Sequence, residues 1–213
     1  MRGSTSVAGW LVVGLCVLYG GFALAVGVGE GLDGAPTRSA PALFVLHAVT
    51  GTLALLAGVL QLRLAGPLLR RRPAAHRVIG RLYCGAALAT SLGSGVVAAF
   101  FPVGLAARSI FWTASILWFG TTVLGYRRIR AGQVRAHREW MIRSYALAFF
   151  FVTFSLWVPV FASLPVPQEL GYPIAVLLSW GLNLIAAELW IRRARSQRIS
   201  TGVVGSGGYA LPL

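Results

Sequence analysis

The chain has 213 residues, of which 57% are hydrophobic and only 11% charged, with a formal net charge of +14. A soluble domain of this length cannot hide so much apolar surface, and the mean hydropathy of +0.75 points to a single membrane domain. The positive charge lies in short runs between apolar segments. It therefore reads as a membrane-orientation signal and excludes nucleic acid as the partner.

Six apolar stretches are long enough to span a bilayer: Val7–Val28, Ala42–Leu62, Leu82–Phe101, Ser109–Tyr126, Ser144–Leu164 and Tyr172–Ile191. A hydrocarbon core of about 30 Å needs roughly 20 helical residues. No dyad alternation is visible, so the spans are read as helices rather than barrel strands. The expectation is an all-α polytopic membrane protein with six transmembrane helices. One domain covers residues 1–198, and a disordered cytoplasmic tail follows at 199–213. The first stretch, with Arg2 before it and Ala23-Leu24-Ala25 within it, imitates a secretory signal. Its apolar run exceeds the roughly 7–15 residues of a signal core, so it reads as a retained helix.

All the basic residues are arginines, and their distribution sets the orientation. Arg63, Arg70, Arg71, Arg72, Arg77 and Arg81 surround the connection after the second span. Arg127, Arg128, Arg130, Arg135, Arg138 and Arg143 surround the connection after the fourth. Arg2 and the cluster Arg192, Arg193, Arg195 and Arg198 lie at the two ends of the chain. Arg38 and Arg108 fall on the other side with Glu30, Asp33 and Glu169. The positive-inside rule then places both termini in the cytoplasm of a bacterial inner-membrane protein.

The second and third spans form one hairpin, closed by Arg63–Arg77, and the fourth and fifth form another, closed by Arg127–Arg138. They make a central parallel repeat over about 42–101 and 109–164. The sequence carries the same echo. Ala75-His76-Arg77 leads to Arg81 and Tyr83, and Ala136-His137-Arg138 leads to Arg143 and Tyr145. Pro159 is expected to kink the fifth span. Cys16 and Cys84 form no C-x-x-C pair and read as buried packing residues.

These motifs carry a resemblance. Gln61-Leu62-Arg63, the run Arg71-Arg72-Pro73-Ala74-Ala75-His76-Arg77, Gly80-Arg81-Leu82-Tyr83, and His137 through Leu147 resemble a bacterial membrane family, domain of unknown function 2306, from about His47 to Phe161. That likeness implies an integral membrane protein. A weaker architectural similarity is to cytochrome b561-type proteins, whose central helices pair histidines across a haem. By that resemblance His76 and His137 form an inner pair and His47 is half of an outer pair. Ser109-Ile110-Phe111-Trp112 supplies no histidine to complete the outer one.

Three uses of the His/Arg end follow. Facing histidines on different helices can ligate one b-type haem, with membrane electron transfer as the implied role. His76 precedes Arg81 by about 7.5 Å of helix and His137 precedes Arg143 by about 9 Å. That depth favours the second use, a site for an anionic lipid or phosphate head group on Arg77, Arg81, Arg138 and Arg143. In the third the arginines only orient a scaffold that holds no cofactor. His47 lies about 21 Å from Gln61 by helix rise, too far to share a ligand with the other two histidines. Glu188 is expected to pair with Arg192 at i, i+4, and Asn183 to bond another helix. A zinc site on His76, His137 and Glu139 is the weakest reading. No P-loop, nucleophile elbow or H-E-x-x-H motif occurs, so nothing suggests an ordinary soluble-substrate enzyme.

Overall fold

The computed structural model describes residues 13–22, 25, 41–100 and 103–205. Their regular structure is helical throughout. The helices are α1 (Val13–Phe22), α2 (Pro41–Arg71), α3 (Pro73–Phe100), α4 (Leu105–Arg130), α5 (Val134–Ala148), α6 (Phe150–Ser163) and α7 (Gln168–Gly205). Four segments are long and apolar enough to cross a membrane: Ala42–Leu62, Pro73–Phe100, Val134–Ser163 and Gln168–Gln197. Helix α4 has a spanning length of 26 residues, but Trp112, Thr113, Ser115, Trp118, Thr121 and Thr122 dilute its apolarity. The chain is an all-α polytopic membrane protein. The described part of the first span is α1 with Ala25; the rest of Val7–Val28 lies outside the described residues.

Both Arg-rich connections are shorter than the charge pattern predicts. Helix α2 continues through Arg71, and Arg72 alone separates it from α3. Leucine, alanine and arginine are good helix formers, so charge by itself does not end a helix. Pro73 takes the first helical position, where its missing N–H costs nothing. The second connection is only Ala131–Gln133. Gly132 adopts φ +72°, a left-handed conformation open to glycine. Its N–H donates to the Ile129 carbonyl at 3.0 Å, and that of Gln133 to the Arg128 carbonyl at 2.9 Å. This Schellman pair satisfies carbonyls that the helix end leaves open.

Tight connections force antiparallel neighbours, and the contacts show the register. Across α2 and α3, His47 meets Thr90, Gly58 faces Tyr83 and Gln61 reaches His76. Across α3 and α4, Trp112 Nε1 donates to the Gly95 carbonyl at 2.8 Å, and Ser94 bonds Ser115 at 2.7 Å. Across α4 and α5, Gly125 meets His137 and Thr122 meets Ser144. Helix α7 returns along α5 and α6, with Arg143 on Glu188 and Asn183 donating to Thr153. This order gathers the arginine-bearing ends of α2, α3, α4, α5 and α7 at one end of the bundle. The other end carries the connections from α3 to α4 and from α6 to α7. Leu46, Leu53, Leu92, Ile116, Leu156 and Ile185 stay exposed, as lipid-facing side chains do.

The helical ladder of the fifth span breaks at Phe149, where the Val152 N–H reaches the Phe149 carbonyl at 3.1 Å in a tighter turn. Pro159 lies inside α6, where it removes one ladder bond. Helix α7 carries the backbone to Gly205, and residues 206–213 lie outside the described residues.

Candidate functional site

His76 and His137 occupy the same place in their helices, the fourth residue of α3 and of α5. The two tight connections put these helix starts at the same end of the bundle. His137 is anchored: its Nδ1 donates to the Gly125 carbonyl at 2.8 Å, which leaves Nε2 with a free lone pair. A backbone carbonyl on the far nitrogen is the usual way to fix a ligating imidazole. His76 Nδ1 is buried without a partner, and so is Gln61 Oε1 beside it. Gln61 Nε2 donates to the His76 backbone carbonyl, which holds the Gln61 side chain against the start of α3. Buried polar atoms without partners are uncommon and mark a place built for something more.

Directly beneath, Tyr83 and Tyr145 close the interior. Tyr83 is 1% exposed and Tyr145 8%, so both are core residues. They fit because Gly58 of α2 has no side chain. A Cβ there would lie 2.3 Å from Tyr145 Cδ2 and 2.8 Å from Tyr83 Cε2. The Tyr83 hydroxyl bonds Ser144 Oγ at 2.7 Å, and Ser144 bonds Thr122 at 2.7 Å, tying α3, α5 and α4. The Tyr145 hydroxyl donates to the Leu55 carbonyl at 3.4 Å and contacts Cys16 Sγ at 3.5 Å, which ties α5 to α2 and α1. Such bonds hold helices together where lipid offers no hydrophobic drive between them.

The arginines divide into two groups. Arg77, Arg81 and Arg138 are exposed. Arg143 is turned inward, and its fork grips Glu188, Nε to Oε2 at 3.0 Å and Nη2 to Oε1 at 3.1 Å, while its plane lies over Trp140. Arg143 is thus already committed to a carboxylate. The expected Glu188–Arg192 contact is present only at 3.8 Å, and Arg143 is the dominant partner. Glu139, weighed as a zinc ligand, instead accepts from Arg195 Nε at 2.8 Å. Among the described residues no group of three or more His, Cys, Asp or Glu is placed to hold a metal ion. His47 sits apart, with Nδ1 3.1 Å from Thr90 Oγ1 and its ring 5.8 Å from that of Phe151.

The model of a family described as "Predicted membrane protein (DUF2306)" matches residues 44–191. The chain belongs to that family. No curated protein and no solved structure matches it. The match in this DUF2306 protein takes in all three histidines, Gln61, Gly58, both core tyrosines and Glu188, and it stops before Arg195.

Sequence reasoning passed over Gln61, Gly58, Ser144 and Thr122 as site residues. Gly58 had a signal: Gly51 and Gly58 are seven residues apart on α2, two turns, and so share a face. Gly51 uses that face in the same way, against Phe151 and Thr90. Ser144 and Thr122 had none, because a hydroxyl in an apolar helix more often bonds its own backbone.

Proposed function

We propose that this DUF2306 protein is a membrane redox carrier in which His76 and His137 hold one b-type haem. The observation that carries the reading is the imidazole pair itself, with His137 anchored through Nδ1 and His76 Nδ1 buried and unpaired. The donor set fits the group, since each ring has a free nitrogen and a bis-imidazole site needs one from each. Arg77 and Arg138 directly follow the two histidines and are exposed, which provides cationic partners for two propionates. Gln61, through its bond to the His76 carbonyl, positions the start of α3, and the Gly125 carbonyl sets the His137 tautomer. The tyrosine layer around Gly58 excludes water from below. Bound there, a haem supplies reversible one-electron transfer.

The test is the absorption spectrum of detergent-purified protein, oxidised and then reduced. We expect a Soret band that sharpens on reduction. His76→Ala and His137→Ala should each abolish the low-spin signal, and His47→Ala should leave it intact. A second reading rests on the exposure of Arg77, Arg81 and Arg138, which suits an anionic-lipid head group. Protein that stays colourless after haem is supplied, yet retains anionic phospholipid, would overturn the haem reading in favour of this one.

The same proposal places the arginine-rich end in the cytoplasm of a bacterial inner membrane, with both termini on that side. Reporter fusions after Arg72, after Gly132 and at the C-terminus should report cytoplasm. Fusions near Asp33 and Gln168 should report the outside. An outside signal after Gly132 contradicts this orientation.

A further inference from the structure

The opposite half of the bundle contains a cavity of about 280 Å³ that the haem reading does not use. Its walls are largely aromatic, with Phe111, Phe150, Phe154 and Tyr172 packed at ring separations of 5.2–6.5 Å. Among its polar lining residues are His47 from α2, Tyr19, Tyr172 and Trp118, whose Nε1 is buried without a partner. Ser94 and Ser115 also line it, but they satisfy each other at 2.7 Å. The His47 Nδ1 is held by Thr90, so Nε2 is the ring nitrogen left for a ligand. Several lining residues, including Phe111, Ala114 and Tyr172, are only half-buried, so the cavity opens toward the surface.

Thr90 gives His47 an adjustable polarity. Its Oγ1 lies 3.1 Å from His47 Nδ1 and 3.3 Å from the carbonyl oxygen of the same residue. When the hydroxyl proton goes to that carbonyl, Nδ1–H donates to Oγ1 and Nε2 becomes an acceptor. When the proton goes to Nδ1, Nε2–H becomes a donor. One imidazole can therefore meet either a hydroxyl or a carbonyl in the cavity.

His47 lies within the apolar span Ala42–Leu62, which suits a lipid-soluble occupant. The occupant must offer a flat face to the surrounding rings and an oxygen to Nε2. The volume sits at the small end for ligand pockets, about 300–1,000 Å³, and suits one substituted ring rather than a macrocycle. We propose that the cavity binds the head group of a lipid-soluble quinone, with His47 hydrogen-bonded to its carbonyl or, in the reduced form, to its hydroxyl. This site goes beyond the haem proposal and stands without it.

The probe is decylubiquinone, titrated into the full-length protein purified in detergent. Trp118 lines the cavity, so tryptophan emission should be quenched saturably. His47→Leu should weaken binding about tenfold, the effect of losing one hydrogen bond in an apolar site. Ala114→Phe fills the cavity from α4 and leaves His47 and Thr90 in place; it should abolish saturable quenching. Circular dichroism and gel filtration identify the variants that remain folded, and either variant alone is decisive. Wild-type affinity in a folded variant would overturn the proposal. So would displacement of the quinone by hexadecanoic acid as effectively as by excess quinone, which would make the cavity an acyl-chain slot.

Discussion

Gly58→Ala should destabilise the protein by about 2 kcal/mol, although alanine is the better helix former. The added methyl would sit 2.3 Å from Tyr145 Cδ2 and 2.8 Å from Tyr83 Cε2. Neither ring can simply swing away. Tyr83 is held through Ser144, and Tyr145 through Leu55 and Cys16, in a core with almost no exposed surface. Overpacking of this kind costs about 1–3 kcal/mol, partly offset by up to about 1 kcal/mol of helix propensity. Thermal unfolding in detergent should shift down by roughly 4–8 °C. Gly85→Ala is the matched control: nothing lies within 4 Å of its Cβ, so the propensity gain should appear undiminished. Equal behaviour of the two variants would mean that the tyrosine layer does not close on α2 as described. If the proposed haem is bound above this layer, the change should also broaden its spectrum in protein that still folds.

The second large effect concerns Arg143 and Glu188. Glu188→Ala leaves a guanidinium that is only 17% exposed without its carboxylate. Breaking a fully buried pair costs about 3–5 kcal/mol, but Glu188 is 37% exposed and Trp140 still covers the cation, so about 1–2 kcal/mol is expected here. A double-mutant cycle should give a coupling energy of roughly 1 kcal/mol or more, and the exchanged pair, Arg143→Glu with Glu188→Arg, should recover part of the loss. Arg192→Ala should have little effect, because that side chain is 73% exposed and 3.8 Å from Glu188. Strictly additive single-variant losses would show that the contact contributes nothing. The pair fastens α7 to α5 six residues from His137, so its loss should loosen the helix that carries this imidazole.

The helical position of His76 and His137 was legible in the shared Ala-His-Arg motif: each is the fourth residue of a helix that starts after a tight turn. The depth of the tyrosines was not legible. Helix rise places Tyr83 and Tyr145 just past the arginines, and an amphipathic residue there reads as an interface anchor. Burial depends on what the facing helix presents, and here it presents Gly58. The partner of Glu188 was hidden for a similar reason. Helical spacing nominates Arg192 at i, i+4, while Arg143 reaches Glu188 only because α7 folds back along α5.

Properties of single segments were determined by the sequence alone. Apolar length sets where helices can cross a bilayer, proline and glycine set how tightly they connect, and arginine clusters mark a common end. Each of these depends on residues close together in the chain. Only the tertiary structure decided which faces meet: the tyrosines on Gly58, the Arg143 fork on Glu188, Gln61 beside His76, and His47 on Thr90 at the edge of an aromatic cavity. Those contacts join residues from different helices, and a helix has neighbours on every side. Its periodicity names the faces it offers, while packing volume, hydrogen-bond satisfaction and ion pairing across the bundle select the one that is used.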